Sequence, residues 1–226
     1  MAVAWPCALA ALRESGNLAQ AQGGTQKEIP NQMNLRNSLI ALTLLALPAL
    51  AGPPLICHRI EIGDAKSLPW NAEAQGWNGA VLSYDVSANL LKDTLAILAP
   101  GTAIPVRMET MRRSAIYAAR DARLASGLAA KLEARAAESG AAVAWFDAGY
   151  WIESVRQASF IYRYDMLSPS EKDTWQIRKG LAGRDGHPMV KKAISLGGAP
   201  GMDRALALIE EYRNAGDRLD KKKSGS

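Results

Sequence analysis

GAAVAWFDAGYWIESVRQASFIYRYD, residues 140–165, is the stretch whose reading decides the fold. It holds Trp145, Phe146, Tyr150, Trp151, Phe160, Tyr162 and Tyr164, half of the chain's six Trp, six Tyr and two Phe. Whatever packs against this segment therefore builds the core. At helical spacing it has no clean polar face. Val143, Phe146, Tyr150 and Gln157 share one side, Trp145, Ala148, Ile152, Val155 and Ser159 a second, and Asp147, Trp151, Ser154, Ala158 and Ile161 a third. A helix that is apolar nearly all round is enclosed by other helices. The expected fold class is all-α: antiparallel helical hairpins around a central aromatic-rich helix, with an irregular N-terminal arm.

Working outward, the run from Pro105 to Glu138 precedes the central segment. Met108, Met111, Ala115, Ala118, Ala122, Ala125, Ala129, Leu132 and Ala136 recur there at alternating steps of three and four. This predicts one long helix with an alanine seam that lets a neighbour approach closely. Ser139-Gly140 ends it and turns the chain back as a hairpin. Upstream, NLLKDTLAIL (residues 89–98) reads as a helix stopped by Pro100-Gly101. Downstream, Ser168-Pro169-Ser170-Glu171 is a capping box with proline at the first helical position. Further helices are expected from His187-Pro188 to Leu196 and from Met202 to Leu219, so the helical domain spans 87–219. The tail at 220–226 is expected to be disordered.

Residues 52–86 have another texture, punctuated by Pro, Gly and Asn. Ile56, His58, Ile60 and Ile62 alternate with polar residues, so a short strand is conceivable. The preferred reading is an extended arm laid across the helices, with Trp70 and Trp77 pinning it or, alternatively, lining a ligand groove.

Before the arm comes MNLRNSLIALTLLALPALAGPP. Met33 begins a short n-region with Arg36, an apolar core runs from Leu39 to Leu47, and Ala49-Leu50-Ala51 offers a small-residue cleavage site. This is the pattern of a secretory signal peptide over 33–51. The core is too short for a permanent span, which needs about 20 residues. The competing reading is a buried helix at 39–47. If cleavage follows Ala51, residues 1–32 do not belong to the mature protein. The mature chain then starts at Gly52, carries no transmembrane segment and is periplasmic or extracellular. It keeps Cys57 as its one thiol, either buried or paired with a second molecule.

The 226 residues are 48% hydrophobic and 22% charged, which is globular composition. The net charge of +5 is spread over Arg107, Arg112, Arg113, Arg120, Arg123, Arg135, Lys191, Lys192 and the tail lysines. Spread charge argues against nucleic acid, which calls for a dense basic patch, and allows at most a weak contact with an anionic surface. Two cysteines and two histidines without ligand spacing predict no metal site. No catalytic residue and no cofactor is indicated by any motif.

Five residues are candidates for binding. Asp147 lies among aromatics on a helix expected to be enclosed, so its carboxylate needs a partner. It is either a ligand anchor in a pocket with Tyr150 and Trp151, or half of a buried ion pair with Arg112 or Arg113. Those two arginines, with Arg107 and Glu109, either grip an anionic ligand or form a solvated face with local ion pairs.

Ala144-Trp145-Phe146-Asp147-Ala148-Gly149-Tyr150 resembles the first helix of a tetratricopeptide repeat, with Trp145, Ala148 and Gly149 in matching places. The resemblance covers one partial unit, without a second copy at a period near 34 residues, and implies stacked helical hairpins. IGDAKSLPW (residues 62–70) is similar to a run in uncharacterised exported bacterial proteins, which brings no activity with it. The functional expectation is an exported cell-envelope protein with a non-enzymatic interaction or scaffolding role and an unidentified protein partner. The alternative is a small-molecule-binding protein or enzyme with a pocket around Asp147.

Overall fold

The computed structural model describes residues 54–74, 76–161, 177 and 179–224; side chains are described for all of these except 160, 161 and 215–224. The segments 1–32 and 33–51 and the capping box at Ser168 lie outside the described residues. Seven helices are present among the described residues, with no strand. They are α1 (Pro54–Cys57), α2 (Val86–Ile97), α3 (Ile104–Ala118), α4 (Ala122–Ser139), α5 (Ala142–Ile161), α6 (Gly186–Ser195) and α7 (Met202–Ser224). The all-α expectation holds.

Helix α5 is the enclosed element that its sequence predicts. Phe146, Tyr150, Trp151, Ile152 and Val155 are all at 0% exposure, and α3, α4 and α6 pack around it. Each such side chain contributes about 1.5–3 kcal/mol by leaving water. The polar residues of α5 are buried too, and local bonds satisfy several of them. Ser154 donates to the Tyr150 carbonyl (2.8 Å), and Ser159 to that of Arg156 (2.8 Å).

The run expected as one long helix is two. Helix α3 ends at Ala118, and Asp121, in extended backbone, accepts from the N–H groups of Arg123 (2.8 Å) and Leu124 (3.3 Å) to start α4. Aspartate favours capping over a helix interior because its short side chain competes for backbone donors. The alanine spacing hid this break, because the seam continues across it. Met108, Met111, Ala115 and Ala118 are buried on α3, and Ala125, Ala129, Leu132 and Ala136 on α4. Gly140, at φ 62°, closes α4 in the left-handed region and lets the chain reverse into α5.

Asp85 caps α2 by accepting from Ala88 N–H (3.0 Å), and Asp185 caps α6 by accepting from His187 N–H (3.1 Å). The last helix runs to Ser224, into the tail expected to be disordered. Between α1 and α2 the described residues of the arm form neither strand nor further helix. The possible strand at 56–62 finds no neighbouring strand to pair with, and Ile60 N–H goes to a side chain instead, Glu109 Oε2 at 3.0 Å. Trp70 packs edge-on against Tyr117, with ring centroids 6.0 Å apart. It also closes a turn in which Asn71 N–H donates to the Gly79 carbonyl (2.8 Å). Trp77 packs partly buried against the core. Cys57 is buried, at 8% exposure.

Candidate functional site

Three buried charge clusters radiate from α3 and α5. The first centres on Glu109, fully buried on α3. Its carboxylate accepts from Arg112 Nε (2.7 Å) and Nη2 (2.8 Å), from Arg113 Nε (2.7 Å) and from Ile60 N–H. The arginines then reach past it to the arm. Arg112 Nη1 donates to the carbonyls of Ile56 and Gly76, both at 3.2 Å, and Arg113 Nη1 to that of Leu68 at 2.6 Å. Both guanidinium groups lie by the Trp70 ring, 4.7 and 5.7 Å from its centroid. One turn on, Tyr117 OH donates to the Pro69 carbonyl (2.7 Å) and accepts from Val81 N–H (2.9 Å). The arm is thus held by side chains of α3 that bind its backbone. Burial pushes the Glu109 carboxyl up, but the hydrogen bonds and charge of Arg112, together with Arg113, outweigh it and hold the group below the ordinary glutamate range. The solvated face expected here is in fact interior.

The second cluster corrects the expected partner of Asp147. Its Oδ2 is 2.6 Å from Arg107 Nη1 and 4.0 Å from Arg135 Nη1, and Arg112 and Arg113 are committed to Glu109. Helix geometry explains the choice. At about 100° per residue, Arg112 and Arg113 lie roughly 120–140° around α3 from Arg107, so they face the arm while Arg107 faces α5. Ser114, seven residues after Arg107 and so on the same face, accepts from the Trp151 indole N–H (2.9 Å). Arg107 also gathers the C-terminal end of α2. It donates to the carbonyls of Leu98 (3.3 Å), Ala99 (2.5 Å) and Thr102 (2.9 Å), and Arg135 donates to Leu98 as well (2.6 Å). Cations at a helix C-terminus complete its unpaired carbonyls and complement its dipole. Burial pushes the Asp147 carboxyl up to about 6, against the pull of Arg107 and Arg135, and its Oδ1 has no hydrogen-bond partner among the described residues.

The third cluster was missed. Glu153, on α5 and fully buried, accepts from Gly186 N–H (3.0 Å), Arg156 Nη1 (3.1 Å) and Arg213 Nη2 (2.9 Å). It thereby ties α5 to the first turn of α6 and to α7. A glutamate inside a helix read as enclosed was the available signal, the same that singled out Asp147.

The five candidate binding residues are therefore all interior or nearly so, with their polar ends directed to different partners. Asp147 meets Arg107, Trp151 meets Ser114, and Arg112 and Arg113 meet Glu109 and the arm. Tyr150 stacks on Phe146 with centroids 5.5 Å apart, and its hydroxyl has no hydrogen-bond partner among the described residues. Burial and the nearby Glu109 charge raise its pKa, with Arg112 and Arg204 opposing. Among the described residues, no three His, Cys, Asp or Glu side chains gather as metal ligands would, and no helix is long and apolar enough to cross a membrane. No protein-family model, curated protein or solved structure matches the chain.

Proposed function

We propose that this is an exported cell-envelope protein with a non-enzymatic interaction or scaffolding role. The observation that carries the reading is the fate of the arginines. Arg112 and Arg113, the residues best suited to grip an anionic ligand, are consumed by Glu109 and by carbonyls of the arm. Their work is to fix a shape, which is what a scaffold needs from its interior. The signal pattern at 33–51 supports export.

A second reading keeps a specific observation on its side. Asp147 Oδ1 and the Tyr150 hydroxyl are buried polar atoms without partners, and such atoms favour a small bound molecule near them. This reading makes the protein a small-molecule binder or an enzyme around Asp147.

Native mass spectrometry on protein purified gently from the envelope fraction of its own host tests both. The scaffold reading expects a chain beginning at Gly52 with a second subunit or a foreign protein attached. A chain that retains the residues before Gly52 removes the export claim. A monomer carrying a small adduct that is lost in Asp147→Asn, with the fold intact, replaces the scaffold reading by the second one.

A further inference from the structure

The arm reaches the helical body through a hinge of two residues. On the arm side, Val81 N–H donates to the Tyr117 hydroxyl (2.9 Å). On the body side, Tyr84 packs on Tyr117 with ring centroids 5.1 Å apart, and its hydroxyl donates to Asp93 on α2 (3.0 Å). Only Leu82 and Ser83 lie between these anchors, both exposed, in a turn where Tyr84 N–H donates to the Val81 carbonyl (3.1 Å). Leu82 is 94% exposed, the most exposed large hydrophobic side chain among the described residues. The closed arm leaves this leucine uncovered. The arm's attachment is also indifferent to which copy supplies it. Arg112, Arg113, Tyr117 and Glu109 hold it by main-chain atoms of Ile56, Gly76, Leu68, Pro69 and Ile60.

We propose that two copies of this chain exchange arms, each arm docking on α3 of the other copy, to give a two-fold symmetric dimer. The inference rests on the scaffold reading above and names its partner. Opening the turn costs one backbone hydrogen bond, and every arm-to-α3 contact is made again across the dimer. Exchange of an identical element is a low-cost route to a dimer for that reason. A two-residue hinge has little slack, which favours exchange. The span from Val81 to Tyr84 lengthens from less than about 7 Å in the turn to about 10 Å when extended. The two hinges then pass antiparallel at the symmetry axis, and the two Leu82 side chains meet there. While the arms are away, Glu109, Arg112 and Arg113 face water, so no charge is left buried without a partner.

The test uses full-length chains. Ser67 Oγ on the arm and Thr110 Oγ1 on α3 lie 2.9 Å apart, so cysteines at these positions come within reach of a disulfide. One chain carries Ser67→Cys and a second, mass-tagged chain carries Thr110→Cys. The two are refolded together from urea at high protein concentration, oxidised and mapped by mass spectrometry. Exchange expects a 67–110 bridge between the chains. A bridge that forms in the double variant refolded at high dilution, but never between the two single variants, overturns the proposal. Deleting Leu82 and Ser83 removes the turn, so the arm no longer reaches its own α3. That variant should be a dimer in native mass spectrometry, with Ile60 N–H still protected from hydrogen exchange. A monomer, or a dimer without that protection, overturns the proposal. Leu82→Ser should weaken the wild-type dimer at least tenfold, and an unchanged dimer overturns the hinge pairing that exchange requires. A foreign protein bound to chains whose arms stay on their own α3 overturns exchange and leaves the scaffold reading standing. Monomers throughout, with no protein attached, remove both.

Discussion

Gly149 and Gly186 meet backbone to backbone where α5 crosses the start of α6. A β-carbon on Gly186 would stand 2.1 Å from the Gly149 carbonyl oxygen, and one on Gly149 would stand 2.5 Å from that of Gly186. Neither obstacle is a side chain that could swing away. Gly149→Ala and Gly186→Ala should each destabilise by about 1–3 kcal/mol or more, because the helices have to separate. Gly127, inside α4 with nothing within 4 Å of its β-position, is the control. Gly127→Ala should stabilise by about 1 kcal/mol, the helix-propensity gain. Thermal unfolding followed by circular dichroism should show opposite shifts in Tm. A neutral Gly186→Ala would mean that the crossing is looser than described.

Glu109→Gln should be costly out of proportion to its size. It leaves Arg112 and Arg113 buried without their counter-charge, a loss of about 3–5 kcal/mol by the usual cost of breaking a buried pair. The damage should start in the arm, with loss of protection at Ile60 N–H in hydrogen exchange before α5 opens. Uniform loss across the molecule would show that the arm is not separately held.

Glu109 and Asp147 should act in opposite directions as pH changes. The Glu109 carboxyl is held low when folded, so its contribution is present above the unfolded value of 4.5 and lost as pH falls through the folded value. Asp147 is raised from 3.8 to about 6, so its contribution is complete below 3.8 and lost as pH rises through 6. Denaturant titrations at several pH values can separate them. Relative to Asp147→Asn, the wild type should lose about 3 kcal/mol between pH 3.5 and 7, from two pKa units at about 1.4 kcal/mol each. A difference that does not change with pH would mean that Arg107 balances the carboxylate fully.

Glu153→Gln should loosen α6 and α7 from α5. It removes the charge that Arg213 and Arg156 share, and weakens the acceptor for Gly186 N–H. A double-mutant cycle with Arg213→Met should give a coupling within about 0.5–3 kcal/mol, since the two groups touch at 2.9 Å. Zero coupling would leave Glu153 as a cap of α6 alone.

The sequence by itself determined the class of fold and its centre. The absence of a polar face in residues 142–161 requires enclosure whatever the neighbours are, and Pro100-Gly101 and Ser139-Gly140 mark helix ends through local chemistry. These signals are carried within a few residues, so they are legible along the chain. Tertiary structure alone decided which charges meet. Asp147 could not be matched to Arg107 from the sequence, because the match depends on the rotation of α3 against α5, and a difference of five residues in arginine position turns the guanidinium by more than a third of a circle. The break at Asp121 was hidden because the alanine seam keeps its spacing across two helices. The arm's attachment was hidden for a further reason. Its anchors are backbone carbonyls, which every residue possesses, and only the folded position of Arg112 and Arg113 selects those of Ile56, Leu68 and Gly76.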